Sequence, residues 1–197
     1  MEVPYGVAGA RGDFEHYCRV HGARGFVARL LVPVRQPALL ALWTYRYGRW
    51  IHFQGKPRLR LPHRILYLAL FEIVRHLTGV LIQRWVEIAE KVWIESHHPS
   101  LLAGLRIGKG SFVFGGVTIG VGGSKSARGI PSAGEGVVFG PGVICIGPIE
   151  VPDGSVLGPN AVVTRSLSKA GAGWIGAPAE EYAGPREALI PCIGGPS

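Results

Sequence analysis

From Ala133 onward the apolar positions keep a six-residue beat. Ala133, Phe139, Cys145, Val151, Leu157 and Val163 are all apolar. The residues four further on, Val137, Val143, Ile149, Ser155, Ala161 and Leu167, are β-branched, small or apolar. Mostly Gly, Pro, Asp, Asn and Glu stand between them, as in the blocks FGPGVI and LGPNAV. The same step joins Ile88 to Ile94 upstream, and then runs from Leu101 through Ile107 and Val113 to Ile119. Ile94 to Leu101 is seven, so the pattern predicts one extra residue where His97 and His98 sit side by side. A period of six fits neither a helix nor a lone alternating strand. It fits a short strand plus a tight turn, repeated, with each strand burying one main side chain. Three such units close one turn of a three-sided parallel coil. Residues 121–132, VGGSKSARGIPS, interrupt the beat. A long excursion from a solenoid serves binding or assembly.

The first half has the helical period instead. Residues 14–22 and 26–34 are predicted as short helices, with Pro33 and Pro37 as breaks. PALLALWTYRYGRWIHF, from Pro37, carries apolar residues at helical spacing, and QGKPRLRLP follows as a basic loop. A longer helix is predicted to start near Pro62 and stop at Gly79. Arg46 and Arg49 interrupt the first long segment, and Arg64, Glu72 and Arg75 the second. Each apolar stretch is shorter than the ~20 residues a bilayer span needs. Two readings stand: a helix pair packed on the next domain or another subunit, or an interfacial pair making peripheral contact with an anionic membrane. The expected division is a helical region at 1–83, a coil domain at 84–182 with the loop 121–132, and a tail at 183–197 holding Cys192 as an exposed thiol.

Charge narrows the partners. The 197 residues carry 21 Lys and Arg against 13 Asp and Glu, a net +8. That balance points to an anionic partner: a nucleic acid, a membrane surface or a phosphorylated small molecule. No nucleic-acid-binding module is recognisable, so nucleic acid is set aside. Cys18, Cys145 and Cys192 are scattered and odd in number, which fits neither a disulfide framework nor a CxxC metal site. A reducing, cytoplasmic location is expected, and the first residues lack the basic start and apolar run of a secretion signal. A zinc site of the γ-carbonic-anhydrase kind would need three converging histidines. Only His97 and His98 fall in the coil, and neighbours there point to different sides, so no metal is expected.

LTG at 77–79, GVTIGVGG at 116–123, GPNAVVTR at 158–165 and IGAPAE at 175–180, in that order, resemble the serine acetyltransferases. They look closer still to a short branch associated with polysaccharide and secondary-metabolite gene sets. The resemblance covers about residues 37–182. It implies a left-handed parallel β-helix, assembled as a homotrimer and in some members paired into hexamers through the N-terminal helices. It implies acetyl-CoA as acyl donor, held between neighbouring coils, and a small acceptor bearing a hydroxyl. A histidine takes the acceptor's proton as it attacks the thioester, without an acyl-enzyme. Imidazole suits that task because its pKa lies near neutrality. Backbone N–H groups beside the thioester oxygen would stabilise the oxyanion.

Carried onto this sequence, the family's I-D-H pattern falls on Ile94-Glu95-Ser96-His97-His98. Glu95 takes the acidic place, Ser96 stands where the histidine is expected, and His97 or His98 supplies the base across a bulge. On the donor side, Gly122, Gly123 and Lys125 resemble the segment that contacts the pantetheine arm and phosphates. Gly142 and Val143 match the small-residue stretch that lines the pantetheine. Arg165 and Lys169 are the basic residues near the coil's end, candidates for the nucleotide phosphates. One departure concerns the acceptor: where the family has a His-Pro after the loop, this chain has Ile130-Pro131. That argues against free serine and for a larger alcohol or a sugar. The alternatives are a sugar or nucleotide-sugar acetyltransferase, and a CoA-binding structural trimer with impaired catalysis.

Overall fold

The structure, a computed structural model, describes residues 8–53, 57–95, 100–122 and 129–189. Four helices come first: α1 (Ala8–Val20), α2 (Phe26–Arg35), α3 (Ala38–Phe53) and α4 (Pro57–Thr78). Three differ from the sequence expectation. Helix α1 spans Ala8–Val20, where the sequence pattern predicts a helix over 14–22. Pro33 lies inside α2, and the break falls at Gln36, whose N–H closes the last turn on the Val32 carbonyl at 2.8 Å. Helix α4 opens at Pro57 rather than Pro62, so most of the expected basic loop is helical. The fixed φ of proline suits a first helical turn, where its missing N–H costs nothing.

After Gly79 the chain turns into short strands: β1 (Val80–Ile82), β2 (Glu87–Ile88), β3 (Trp93–Ile94), β4 (Ser100–Leu102), β5 (Arg106–Ile107), β6 (Phe112–Val113), β7 (Thr118–Gly120), β8 (Ser132–Ala133), β9 (Val138–Phe139), β10 (Ile144–Ile146), β11 (Glu150–Val151), β12 (Val156–Leu157), β13 (Val162–Val163), β14 (Gly173–Ile175) and β15 (Glu180–Tyr182). Up to β13 every third strand stacks on the same face. The three sheets run β1-β4-β7-β10-β13, β2-β5-β8-β11 and β3-β6-β9-β12-β14-β15. All pairings are parallel except β14 with β15. This is a three-sided parallel β-helix.

The six-residue beat sets its interior. Phe139, Cys145, Val151, Leu157 and Val163 are buried, and so are the corner residues Val137, Val143, Ile149, Ser155 and Ala161. One register differs from the expectation. Leu102, not Leu101, takes the interior place, aligned with Ile82 on one side and Ile119 on the other. Ile94 to Leu102 is eight residues and Leu102 to Ile107 is five. The corner holding His97 and His98 is therefore longer by two, and the next corner is shorter by one.

The outer faces differ in chemistry. On the β2 face the outward residues Glu87, Arg106, Ser132 and Glu150 are polar, with Arg106 and Glu87 paired at 3.0 Å. On the β3 face Trp93, Phe112, Val138 and Val156 form an apolar row. His16 of α1 packs against Phe112 at one end and Leu189 packs at the other. The β1 face presents Thr118, Ile144, Ile146 and Val162, with Ile146 42% exposed.

The first coil has no coil before it, so its strand edge would leave backbone groups unpaired. Side chains of α1 and α3 take that place. The Tyr45 hydroxyl donates to the Val86 carbonyl at 2.6 Å and accepts from the Ile88 N–H at 3.1 Å. Arg46 donates to the Ile88 and Ala89 carbonyls, both at 2.7 Å, and to the two oxygens of Asp13 at 2.9 and 3.2 Å. Asp13 in turn accepts from the Lys91 N–H at 2.9 Å. Arg46 and Asp13 are both buried. Burial pushes the Asp13 carboxyl up, and the guanidinium beside it pulls it back.

Candidate active site

The corner that follows β3 is built around Glu95. Its own N–H donates to the Val113 carbonyl at 2.8 Å, continuing the ladder. Its side chain then folds onto the coil below, where Oε2 accepts from the Gly115 N–H at 2.6 Å. A half-buried carboxylate is thus fixed by two coils at the point where the chain leaves for residues 96–99. An ionised carboxylate keeps acceptor capacity at its second oxygen for a ring N–H. His97 and His98, the two candidates for the base, lie outside the described residues.

Below Glu95 the same corner repeats as a stack of tight turns. The Gly142 N–H donates to the Gly115 carbonyl at 2.9 Å, and the Asn160 N–H to the Pro141 carbonyl at 2.8 Å. Gly116, Gly142 and Asn160 all have positive φ, at 75°, 71° and 56°. A Cβ on Gly142 would meet Asn160 Oδ1 at 2.3 Å. The turn therefore requires glycine and keeps the backbone open along this edge. Val143, expected beside it in the donor cleft, is fully buried, and its side chain belongs to the coil interior. Only its backbone lies at the corner, because the fifth residue of each block is the one the coil turns inward.

Gly122 sits at the opposite edge of the β1 face, where the loop leaves the coil. It forms an antiparallel bridge with Gly129, with N–H to carbonyl distances of 3.3 and 3.2 Å. A Cβ on Gly122 would meet Ile146 Cγ2 at 2.2 Å, and one on Gly129 would meet Pro148 Cβ at 2.5 Å. The stem of the loop lies flush on the next coil because both residues lack side chains. Gly123 and Lys125 lie outside the described residues. Ile130, just past the stem, is exposed.

The two distal cations do not converge. Arg165 follows β13 at the same edge as Gly122 and is exposed. Lys169 stands one corner further round and is paired with Glu181 of β15 at 2.5 Å. The candidates thus fall into two groups. Glu95 and Gly142 line one edge of the β1 face, Gly122 and Arg165 the other, and Lys169 stands apart from both. Sequence reasoning missed Tyr17, whose hydroxyl accepts from the Ile94 N–H and donates to the Ile94 carbonyl, immediately before Glu95. A lone tyrosine on a short helix gave no signal of that role.

No family model matches the sequence. Curated relatives do. The chain is 31% identical to a serine acetyltransferase of Mycobacterium tuberculosis over 133 residues, 66% of this chain and 55% of that protein. It is 32% identical to a serine acetyltransferase of Helicobacter pylori over 133 residues, 66% of this chain and 73% of that protein. The chain thus spans about half the length of the first relative and nearly three quarters of the second. Among solved structures, a serine acetyltransferase of Neisseria gonorrhoeae in complex with serine matches with a TM-score of 0.71. The identity is 18%, over 89% of this chain and 68% of that one. A serine acetyltransferase in complex with CoA matches at a TM-score of 0.68 and 21% identity, over 89% and 68% of the two chains. These structures share the left-handed β-helix with its N-terminal helices. Sequence identity on this fold places the chain in the serine acetyltransferase family.

Proposed function

We propose that this protein is an acetyl-CoA-dependent O-acetyltransferase that moves the acetyl group directly to a hydroxyl. The observation that carries the reading is the anchorage of Glu95, held by Gly115 at the corner that leads into His97 and His98. One of these imidazoles takes the proton of the acceptor hydroxyl as its oxygen attacks the thioester carbonyl. The tetrahedral adduct collapses, the carbon–sulfur bond breaks, and the imidazolium returns the proton to the CoA thiolate. Glu95 fixes the ring's tautomer and stabilises the imidazolium. The acetyl donor is supported by family membership and by a related fold solved with CoA.

The chemistry of the outer faces supports a trimer. The β1 face is the apolar outer face that neither α1 nor Leu189 covers, and we take it as the surface on which three copies pack. A three-fold ring brings the Glu95 edge of one copy to the Gly122 and Arg165 edge of the next. The two groups of candidate residues, apart within one chain, then line one cleft. Ile130 favours an acceptor other than free serine, a larger alcohol or a sugar of the kind the short branch would modify. The apolar side chain stands where a polar amino acid would need a partner.

The test is CoA release from acetyl-CoA with a panel of alcohols that includes serine and sugars. It is run on the parent, His97→Ala, His98→Ala and Glu95→Gln. Activity that falls about 100-fold or more in one histidine variant supports the reading. Activity intact in both histidine variants overturns it.

A further inference from the structure

We infer that α2 is an interfacial helix that lays this protein on an anionic lipid surface. Phe26, Val27, Leu30, Leu31 and Val34 are all exposed, with Phe26 at 81% and Val34 at 76%. At 100° per residue they occupy one arc of about 140°, while buried Val32 points the opposite way, into the protein. Exposed arginines border the arc. Arg29 lies on one side, its guanidinium 5.5 Å from the Phe14 ring centroid, and Arg35 on the other. An apolar strip flanked by arginines that can reach the headgroups is the form of a helix lying in the bilayer interface. Among the described residues no single helix is long and apolar enough to cross a membrane. Although α2 and α3 together reach that length, they are bent 82° apart and α3 buries Leu39, Leu42 and Tyr45 in the protein, so the inferred contact is that of α2 with the surface.

Charge decides the occupant. Between residues 16 and 86 the chain carries twelve Lys and Arg and a single acid, Glu72. A second copy placed on α2 would set Arg29 and Arg35 against their equivalents, with no carboxylate on the helix to pair them. Anionic headgroups supply the missing countercharge, and the acyl boundary covers the five apolar side chains.

The experiment is co-sedimentation of the full chain with vesicles of phosphatidylcholine alone and of an equal mixture with phosphatidylserine, at low and high salt. Leu30→Glu/Val34→Glu is the variant, because both side chains are exposed and lie far from the β-helix corners. Thermal melting checks its fold, and light scattering the mass of both proteins. The expected result is binding to the mixed vesicles about tenfold or more stronger than to phosphatidylcholine, weakened by salt. The variant loses this binding and keeps its mass and melting point. Absence of binding by the parent, or equal binding by the variant, overturns the inference. So does a variant whose only change is a smaller assembly, which would identify a second copy of the chain as the occupant.

Discussion

The Tyr17 hydroxyl and the Ile94 peptide hold each other twice, accepting from its N–H and donating to its carbonyl, both at 2.9 Å. One side chain from α1 thereby replaces a strand of a coil that does not exist. It does so one residue before Glu95, so the helical region and the candidate base segment are mechanically joined. Tyr17→Phe keeps the ring and removes both bonds. A buried N–H and carbonyl then lose their partner, at a cost of about 1–3 kcal/mol. Urea unfolding measures that cost. CoA release should show a fall in kcat, with the KM for acetyl-CoA unchanged, since the donor-side residues lie on other coils.

The Asp13–Arg46 pair ties α1 and α3 to the first coil through the Ile88 and Ala89 carbonyls and the Lys91 N–H. A buried pair adds little net stability over apolar packing, but removal of one partner strands the other charge. Asp13→Ala and Arg46→Ala are each expected to lose about 3–5 kcal/mol in denaturant unfolding. Asp13→Asn should lose less, because its amide oxygen still accepts from Lys91.

The coil was legible because its interior repeats: Phe139, Cys145, Val151, Leu157 and Val163 are all buried and stand six residues apart. The register at Leu102 was not. Leu101 and Leu102 are equally apolar, and only strand pairing against Ile82 and Ile119 chooses between them. The side-chain edge made by Tyr17, Tyr45, Arg46 and Asp13 was also invisible. Its members are single residues on two helices, bonded to backbone, and neither partner leaves a periodic trace in sequence. Glu95 was legible only through a family pattern, and its bond to Gly115 depends on stacking of successive coils.

Gly142→Ala tests whether the corner needs its bare backbone. The substitution puts a Cβ 2.3 Å from Asn160 Oδ1 at a φ of 71°. The left-handed conformation alone costs a non-glycine residue about 1–3 kcal/mol. Asn160→Gly removes the clashing oxygen and suits the positive φ at that position. The double variant should therefore recover the steric part of the loss and retain the conformational part, read as two separate steps in melting temperature.

Thiol chemistry reports on the core. Burial raises the Cys18 thiol, and it pushes Cys145 up to about 12. Both side chains are buried, and the thiolate is the reactive form. In native protein neither should react with a disulfide reagent near neutral pH on the timescale of an exposed thiol. Both should react at once in denaturant, as peptide mapping of the labelled protein will show.

His16 of α1 and His21 just past its end give the fold a dependence on pH. Burial lowers His16, aided by Arg19 and Lys91, and burial also lowers His21. His16 Nε2 is buried without a hydrogen-bond partner among the described residues, while His21 Nε2 accepts from the Trp93 indole N–H at 3.3 Å. Neither nitrogen is placed to carry an added proton. In the unfolded chain both rings bind protons near the ordinary value of about 6.5. The unfolded state therefore takes up protons that the folded state refuses, and stability falls as pH drops through that value. It is fully present above it. The melting temperature should decline between about pH 7.5 and 5.5. Asp13 works in the opposite sense, since its raised carboxyl favours the folded state as it protonates, and it stays in place in His16→Gln. That variant carries no titrating ring at the site and should show a smaller decline than the parent. An equal slope in the two proteins would place the pH dependence elsewhere than at the α1 contact.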